Sequence, residues 1–285
     1  MIVKRNRKRT IVQAIWTVLT NGYIWGFLHG RIYTGRAKTI CVPGLNCYAC
    51  PAALGSCPLG ALQTELGARQ IQLPLYVTGF LLVFGSIFGR FICGFLCPFG
   101  LIQDLLYRIP VKKLSTFSAD RPLRYMKYAV LLVLVIILPL VIRNAAGVGT
   151  PWFCKLLCPS GTLGGGVPLM LLNASLRAQA GLLFFWKLLV LLCVSAFLYR
   201  PFCKYLCPLG AIYALFNRFA LYQLRVDVNK CRHCHACSQV CRMGVEPDKH
   251  SHAAECIRCG DCVKACSENA LYAGFCVKGK RQQEN

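Results

Sequence analysis

The sequence predicts a mainly α protein: a four-helix transmembrane bundle followed by a C-terminal α+β domain. Three observations carry that reading. The chain has 285 residues with a positive mean hydropathy, concentrated in four apolar stretches. Its formal charge is +23, and the basic residues flank the apolar stretches instead of forming one polar patch. That pattern belongs to a membrane protein with its positive charge on one side, and it speaks against nucleic acid as a partner. Finally, twenty cysteines are present, eight of them in two matching runs near the C-terminus. Most acidic residues also fall there, after Asp227, so the tail reads as a soluble module.

Residues 1–10 carry Lys4, Arg5, Arg7, Lys8 and Arg9, and an apolar stretch follows over 11–28. No small-residue cleavage site closes it, since Leu28-His29-Gly30-Arg31 follows. It therefore reads as a first membrane helix, interrupted by Asn21 and Gly22, and not as a signal peptide. The loop 29–71 holds Cys41, Cys47, Cys50 and Cys57. Three more spans are expected over about 73–92, 128–142 and 182–199, each just long enough for a core of about 30 Å at 1.5 Å per residue. Placing the basic stretches at 5–9, 108–127 and from 200 onward inside satisfies the positive-inside rule with four spans. Both termini then lie in the cytoplasm, and the loops 29–71 and 144–181 lie outside. Arg31, Arg36, Lys38 and Arg69 run against this rule. The expected organisation is a membrane domain over 1–225, a second domain over 226–276 and a basic tail over 277–285, in a multi-pass protein of the cytoplasmic membrane surrounded by lipid.

A short motif recurs. Cys57-Pro58-Leu59-Gly60 matches Cys97-Pro98-Phe99-Gly100, Cys158-Pro159-Ser160-Gly161 and Cys207-Pro208-Leu209-Gly210. Three of the four have a second cysteine four residues earlier: Cys93, Cys154 and Cys203. The proline and glycine make a turn, after which amphipathic stretches such as 101–107 and 212–219 are expected on the membrane surface. Two such pairs on one side make a four-cysteine site. Cys93, Cys97, Cys203 and Cys207 meet at the cytoplasmic face and are expected to hold a [4Fe–4S] cluster. A further cluster on the outer face would take Cys154 and Cys158 with two of Cys41, Cys47, Cys50 and Cys57. The pair left over is free for a disulfide in an oxidising exterior. The competing reading is packing, because free cysteine is often a small buried hydrophobe; threefold recurrence at membrane boundaries weighs against it.

The tail reads C-x2-C-x2-C-x3-C twice, the bacterial run for cubane iron–sulfur clusters, in which the fourth cysteine serves the other cluster. One cluster is assigned Cys231, Cys234, Cys237 and Cys266, the other Cys256, Cys259, Cys262 and Cys241. Zinc sites show pairs and not triplets trailed by a fourth, and cysteines two residues apart are poorly placed to pair as disulfides. Arg242 and Ser267 stand where the run usually has proline. Cys193, alone in the fourth span, reads as packing, Cys276 as no ligand, and Lys187 as a cation snorkelling to the surface. His233 and His235 read as shaping the cluster loop. His29, His250 and His252 have no metal-ligand spacing. Gly164-Gly165-Gly166 reads as a loop, and no catalytic triad, Walker loop or dinucleotide fingerprint is present.

Four spans, membrane-edge C-x3-C-P motifs and a two-cluster ferredoxin-like tail resemble the membrane-bound [4Fe–4S] polyferredoxins. That family includes the H subunit of periplasmic nitrate reductase systems and the membrane half of the nitrous-oxide reductase regulator. The resemblance covers about residues 70–270. It implies electron transfer in anaerobic respiration, as one component of a larger complex. The donor would be a cytoplasmic ferredoxin-like protein or flavoprotein. The acceptor would be a quinone or an extracytoplasmic redox partner such as a flavin protein. The loop 41–57 and the pair Cys154/Cys158 depart from the family. Clusters on opposite faces of a bilayer about 30 Å thick would need a carrier between them, a quinone or a partner's flavin, and the sequence shows no site for either. Two other functions fit the cysteines: a maturation factor that reduces or relays metal for a respiratory enzyme, and a redox-sensing subunit.

Overall fold

The structure is a computed structural model that describes residues 7–69, 74–114, 120–145, 147–173, 175 and 182–275, with the side chains of 182–185 and 187 set aside. Lys187 and Cys276 therefore fall outside the described side chains. Among the described residues the chain is mainly helical, with one two-stranded sheet.

The first predicted span is broken into helices Arg7–Thr20 and Ile24–His29. The break has a local cause and a tertiary one. Thr20 and Asn21 turn their side chains back onto the carbonyls of Trp16 and Thr17, competing with the helix ladder. The freed groups are then taken by the cysteine loop. The Leu54 amide and the Asn46 side chain donate to the Thr20 carbonyl at 3.0 and 3.3 Å, and the Tyr23 amide donates to the Ala52 carbonyl.

The other predicted spans are helical over Leu75–Phe88, Asp120–Val141 and Leu182–Phe197. Among the described residues, only Asp120–Val141 is long and apolar enough to cross a membrane on its own; Leu75–Phe88 is apolar but shorter. The stretch expected to run to residue 92 stops at Gly89, whose φ of +51° suits glycine and ends the helix. The Asp120–Val141 helix widens to π geometry over Leu131–Ile137. Leu75, Leu82, Val83, Leu132, Val133, Val141, Leu189 and Val190 form exposed apolar faces on these helices. Cys193 is exposed as well, so it does not pack inside as expected.

Three of the four Cys-Pro turns open an α-helix with proline in its first turn: Pro58–Leu66, Pro98–Leu106 and Pro208–Phe216. These helices turn one face inward. Phe99, Gln103, Leu209, Ala211 and Tyr213 are buried. Pro208–Phe216 packs on Leu75–Phe88, and Pro58–Leu66 packs on the π stretch. The triple glycine lies in a π-helical turn, Gly161–Gly166, where Gly165 abuts Ala49; it is not a loop.

In the tail, β1 (Tyr222–Val226) pairs antiparallel with β2 (Leu271–Phe275), Tyr222 opposite Phe275 and Val226 opposite Leu271. Two short helices, Ala236–Val240 and Asp261–Ala265, pack on each other. This α+β unit is no detached module. Met243, Val245 and Ile257 are buried in the same core as Ile92, Phe99, Phe202 and Tyr213.

Candidate functional site

Cys93, Cys97, Cys203 and Cys207 come together as the repeat predicts. All four are buried, and the Cys207 sulfur lies within electrostatic reach of the other three. The two halves of the set share one plan. Cys97 and Cys207 cap the helices that follow them, accepting from the Gly100 and Gly210 amides at 3.4 and 3.3 Å. Arg90 and Arg200, each three residues before the first cysteine of its pair, cross over. Arg90 donates to the Cys203 carbonyl at 2.9 Å, and Arg200 to the Cys93 carbonyl at 2.6 Å. A methyl group on Gly210 would stand 3.2 Å from Arg90, and one on Gly100 would stand 3.3 Å from Arg200. Gln103 completes the set. Its Nε2 donates to the Cys203 sulfur at 3.1 Å, while its Oε1 accepts from the Phe202 amide at 3.2 Å.

The arginines are themselves paired. Arg200 and Arg9 both bind Asp104, at 2.7 and 2.5 Å, and Arg9 also reaches the Tyr199 hydroxyl at 3.0 Å. Arg90 binds Glu255 of the tail at 2.5 Å, and Lys127 binds the other oxygen of the same carboxylate. Burial alone would raise the Glu255 carboxyl, but Arg90 and Lys127 prevail and hold it below the usual carboxylate range.

The outer cysteines separate into two groups. Cys47, Cys57 and Cys154 all lie within electrostatic reach of Cys158. Gln63 here does what Gln103 does above: its Nε2 donates to the Cys154 sulfur at 3.4 Å, and its Oε1 accepts from the Phe153 amide at 3.1 Å. The Gly161 amide donates to Cys158 at 3.4 Å, and the Gly60 amide reaches Cys57. Cys41 stands apart, with Ser56 and Tyr76 around it. Cys50 turns toward Gly164, beside Lys38, whose ammonium donates to the Ala53 carbonyl at 2.9 Å. Burial pushes the thiols up: Cys57 to about 12, and Cys154 and Cys203 each to about 11. Such thiols stay protonated at neutral pH, so loading them with metal releases protons.

These two four-cysteine sets adjoin, although the sequence placed them on opposite faces. The loop carrying Cys47 folds back into the helices. Its Leu45 amide reaches the Cys97 sulfur, while its carbonyl accepts from Ser160, two residues after Cys158, at 3.3 Å. Cys93, Cys97, Cys207 and Cys57 all lie within electrostatic reach of Tyr213, whose hydroxyl donates to the Pro43 carbonyl at 2.9 Å. The hydropathy pattern reads this polar, cysteine-rich segment as an external loop, because it cannot see that capped thiols and paired carbonyls allow it to fold inward.

In the tail, Cys241, Cys256, Cys259 and Cys262 gather against the inner set, with Cys237 near Cys262. The Ile257 carbonyl would stand 2.5 Å from a methyl placed on Gly94, between Cys93 and Cys97. The Cys256 carbonyl accepts from Asn217 at 3.1 Å, and Arg258 donates to the carbonyls of Phe88 and Asn217. Cys231, Cys234, Cys237 and Cys266 line a separate, more open depression in which Cys234 is exposed. The two runs share their backbone form. His233 and His235 in one, and Arg258 and Gly260 in the other, have positive φ, as do Gly244 and Asn269, each three residues past its fourth cysteine. His233 and His235 thus shape the loop, and His235 adds a contact to Asp248 at 2.9 Å. Among the described residues, no three His, Cys, Asp or Glu side chains converge tightly enough to share one metal ion. A single zinc, with Zn–S bonds of about 2.3 Å, needs such convergence.

The glutamines and crossed arginines escaped the reading of the sequence, yet both left a signal in it. Glutamine stands six residues after Cys57 and after Cys97, and arginine stands three residues before Cys93 and before Cys203.

A 4Fe-4S binding domain matches residues 70–116 and 179–226, which frame the two halves of the inner set. An uncharacterised protein of Methanocaldococcus jannaschii is 31% identical over 210 residues, covering 70% of this chain and 71% of that protein. The regulatory protein NosR of Stutzerimonas stutzeri is 29% identical over 70% of this chain, though over only 26% of its own length. The ferredoxin-type protein NapH of Haemophilus influenzae is 23% identical, over 73% of this chain and 71% of its own. No solved structure matches. The matched domain falls on the inner cysteine pairs, and these relatives align over 70% or more of this chain: the chain belongs to the membrane-bound 4Fe-4S polyferredoxins.

Proposed function

We propose that the protein is a multi-pass component of the cytoplasmic membrane that carries electrons from a cytoplasmic donor through the tail and into the membrane half. Two [4Fe–4S] clusters in the tail, on Cys231, Cys234, Cys237, Cys266 and on Cys241, Cys256, Cys259, Cys262, lead to a third on Cys93, Cys97, Cys203 and Cys207. The observation that carries this is the wedge of the tail against the inner set, where Arg90 joins the tail's Glu255 to the carbonyl of Cys203. A tail fixed in this way holds its second cluster at constant distance from the third, as an electron relay requires. Each cluster passes one electron at a time; the protein sets burial and hydrogen bonds to sulfur.

The exposed end suits a protein donor. Cys234 is open, and Lys230 and Arg232 are exposed beside it, each paired with a carboxylate of the tail, Asp227 and Glu268. The exposed apolar faces of Leu75–Phe88, Asp120–Val141 and Leu182–Phe197 support membrane insertion, and the basic stretches support placing the N-terminus and tail on the cytoplasmic side. A quinone acceptor is supported by a cavity of about 530 Å³ lined by Leu157, Pro159, Trp186, Phe202, Tyr205 and Leu206, next to both membrane cysteine sets. That volume falls within the usual range of about 300–1,000 Å³ for small-molecule sites. A metal-relay role would need reachable thiols, and Cys41, Cys50 and Cys57 are buried.

The test is reduction of the intact, cluster-loaded protein in sealed liposomes. A membrane-impermeant reductant is added on the tail side and the spectra of the clusters are followed. Electrons should appear in all clusters of wild type but stop at the first in Cys259→Ala. Equal, independent reduction of every cluster in both proteins would overturn the relay.

A further inference from the structure

Cys47, Cys57, Cys154 and Cys158 repeat the turn, glycine and glutamine contacts of the inner set. Cys57 and Cys97 each open a helix through Cys-Pro-x-Gly. Six residues later, Gln63 and Gln103 each divide one amide between two duties: the nitrogen donates to a sulfur, Cys154 or Cys203, and the oxygen holds the amide of the phenylalanine just before that cysteine. Cys158 and Cys207 each accept from the amide three residues on. Cys47 fills the remaining corner: its sulfur lies 3.7 Å from where a Gly161 methyl would stand, and it is within electrostatic reach of Cys57, Cys154 and Cys158. A glutamine held at both ends is costly to build around an ordinary packed thiol, and here it is built twice.

We propose that Cys47, Cys57, Cys154 and Cys158 hold a fourth [4Fe–4S] cluster, adjoining the third across Tyr213 and Leu45, with Cys41 and Cys50 excluded from ligation. The proposal rests on the relay reading for its use but not for its existence. The step it adds is one electron: the third cluster's core goes from +1 to +2 as the fourth goes from +2 to +1, with no bond made or broken. No carrier is needed between the inner and outer cysteine sets. Leu45 offers a short path of its own, with its amide on Cys97 and its carbonyl held by Ser160.

The experiment is iron and acid-labile sulfide per chain on anaerobically purified full-length protein. Wild type should hold about sixteen irons, at four per cluster. Cys57→Ala and Cys158→Ala should each fall to about twelve, while Cys41→Ala and Cys50→Ala stay at the wild-type value. Because a cysteine variant can misfold, wild type is also denatured under argon without reductant and alkylated. Cys47, Cys57, Cys154 and Cys158 should all take the label. A disulfide among them, twelve irons in wild type, or an iron loss in Cys50→Ala equal to that in Cys57→Ala would overturn the fourth cluster. Sixteen irons with no transfer in liposomes would instead overturn the relay and leave this site standing.

Discussion

The inner and outer cysteine sets are one scaffold in two electrostatic settings. Both use a Cys-Pro turn, a glycine amide on sulfur and a two-handed glutamine. Only the inner set has arginines. At the corresponding places, three residues before Cys47 and Cys154, stand Gly44 and Pro151. Around the inner set, Arg9, Arg200 and Asp104 leave one net positive charge, and Arg90, Lys127 and Glu255 leave another. Near the outer set the buried cation is Lys38, which serves the Ala53 carbonyl. The scaffold thus decides where sulfurs stand, and the charges decide how easily an electron is taken up. Positive charge favours the reduced, more negative cluster, so the inner site should have the higher potential of the two.

That contrast can be broken most severely at Glu255. Glu255→Ala strips Arg90 and Lys127 of their carboxylate, and leaving buried charge unpaired costs about 3–5 kcal/mol. The tail should become open to protease while the outer set, which has no such triad, keeps its thiols protected. The same pair predicts a flat pH response. A depressed carboxyl contributes fully above its unfolded value of about 4.3 and is lost only as pH falls through its lower folded value. Tail protection should therefore not change between about pH 5 and 7.

Gln103→Leu removes one donor to sulfur and orphans the Phe202 amide, a loss of about 1–3 kcal/mol. Redox titration should show the inner potential falling by on the order of 50 mV, the equivalent of about one hydrogen bond. Gln63→Leu should lower the outer potential in the same sense and leave the inner one in place. The glycines sharpen the comparison further. A methyl on Gly100 or Gly210 would press on an arginine and a carbonyl at 3.2–3.3 Å, so Gly100→Ala and Gly210→Ala should each cost about 1–3 kcal/mol in thermal unfolding. The smallest effect belongs to Gly161→Ala, where the nearest atoms are at 3.6 Å and no arginine is packed; its cost should stay within about 0.5 kcal/mol.

Much of this was legible in the residues. The cysteine runs and the repeated C-P-x-G carry their grouping in their spacing, because a turn of fixed length places two sulfurs at a fixed offset. The helical character of the spans was equally plain from composition. The inward fold of the segment from Cys41 to Cys57 was not, because hydropathy scores a polar segment without knowing who will satisfy it. Asn46 and Leu45 satisfy a carbonyl of the first helix and the Cys97 thiol, which lie outside the segment. The broken first helix was flagged by Asn21 and Gly22, but only the structure shows that the break receives the cysteine loop. Arg200 reads as a positive-inside charge, and Arg90 falls inside a predicted span. Their carbonyl partners, more than a hundred residues away, show them instead as internal struts.

Those struts also order the protein's biogenesis. Arg90 meets the Cys203 carbonyl only after another 113 residues have been made, and its carboxylate only after 165. A ribosome delivering the chain into a membrane therefore leaves a bare cation beside a half-built site until the tail emerges. Glu255 is the last part of that lock to arrive. A chain cut short before it carries two uncompensated buried cations, a defect that membrane proteases can read as a mark of incompleteness.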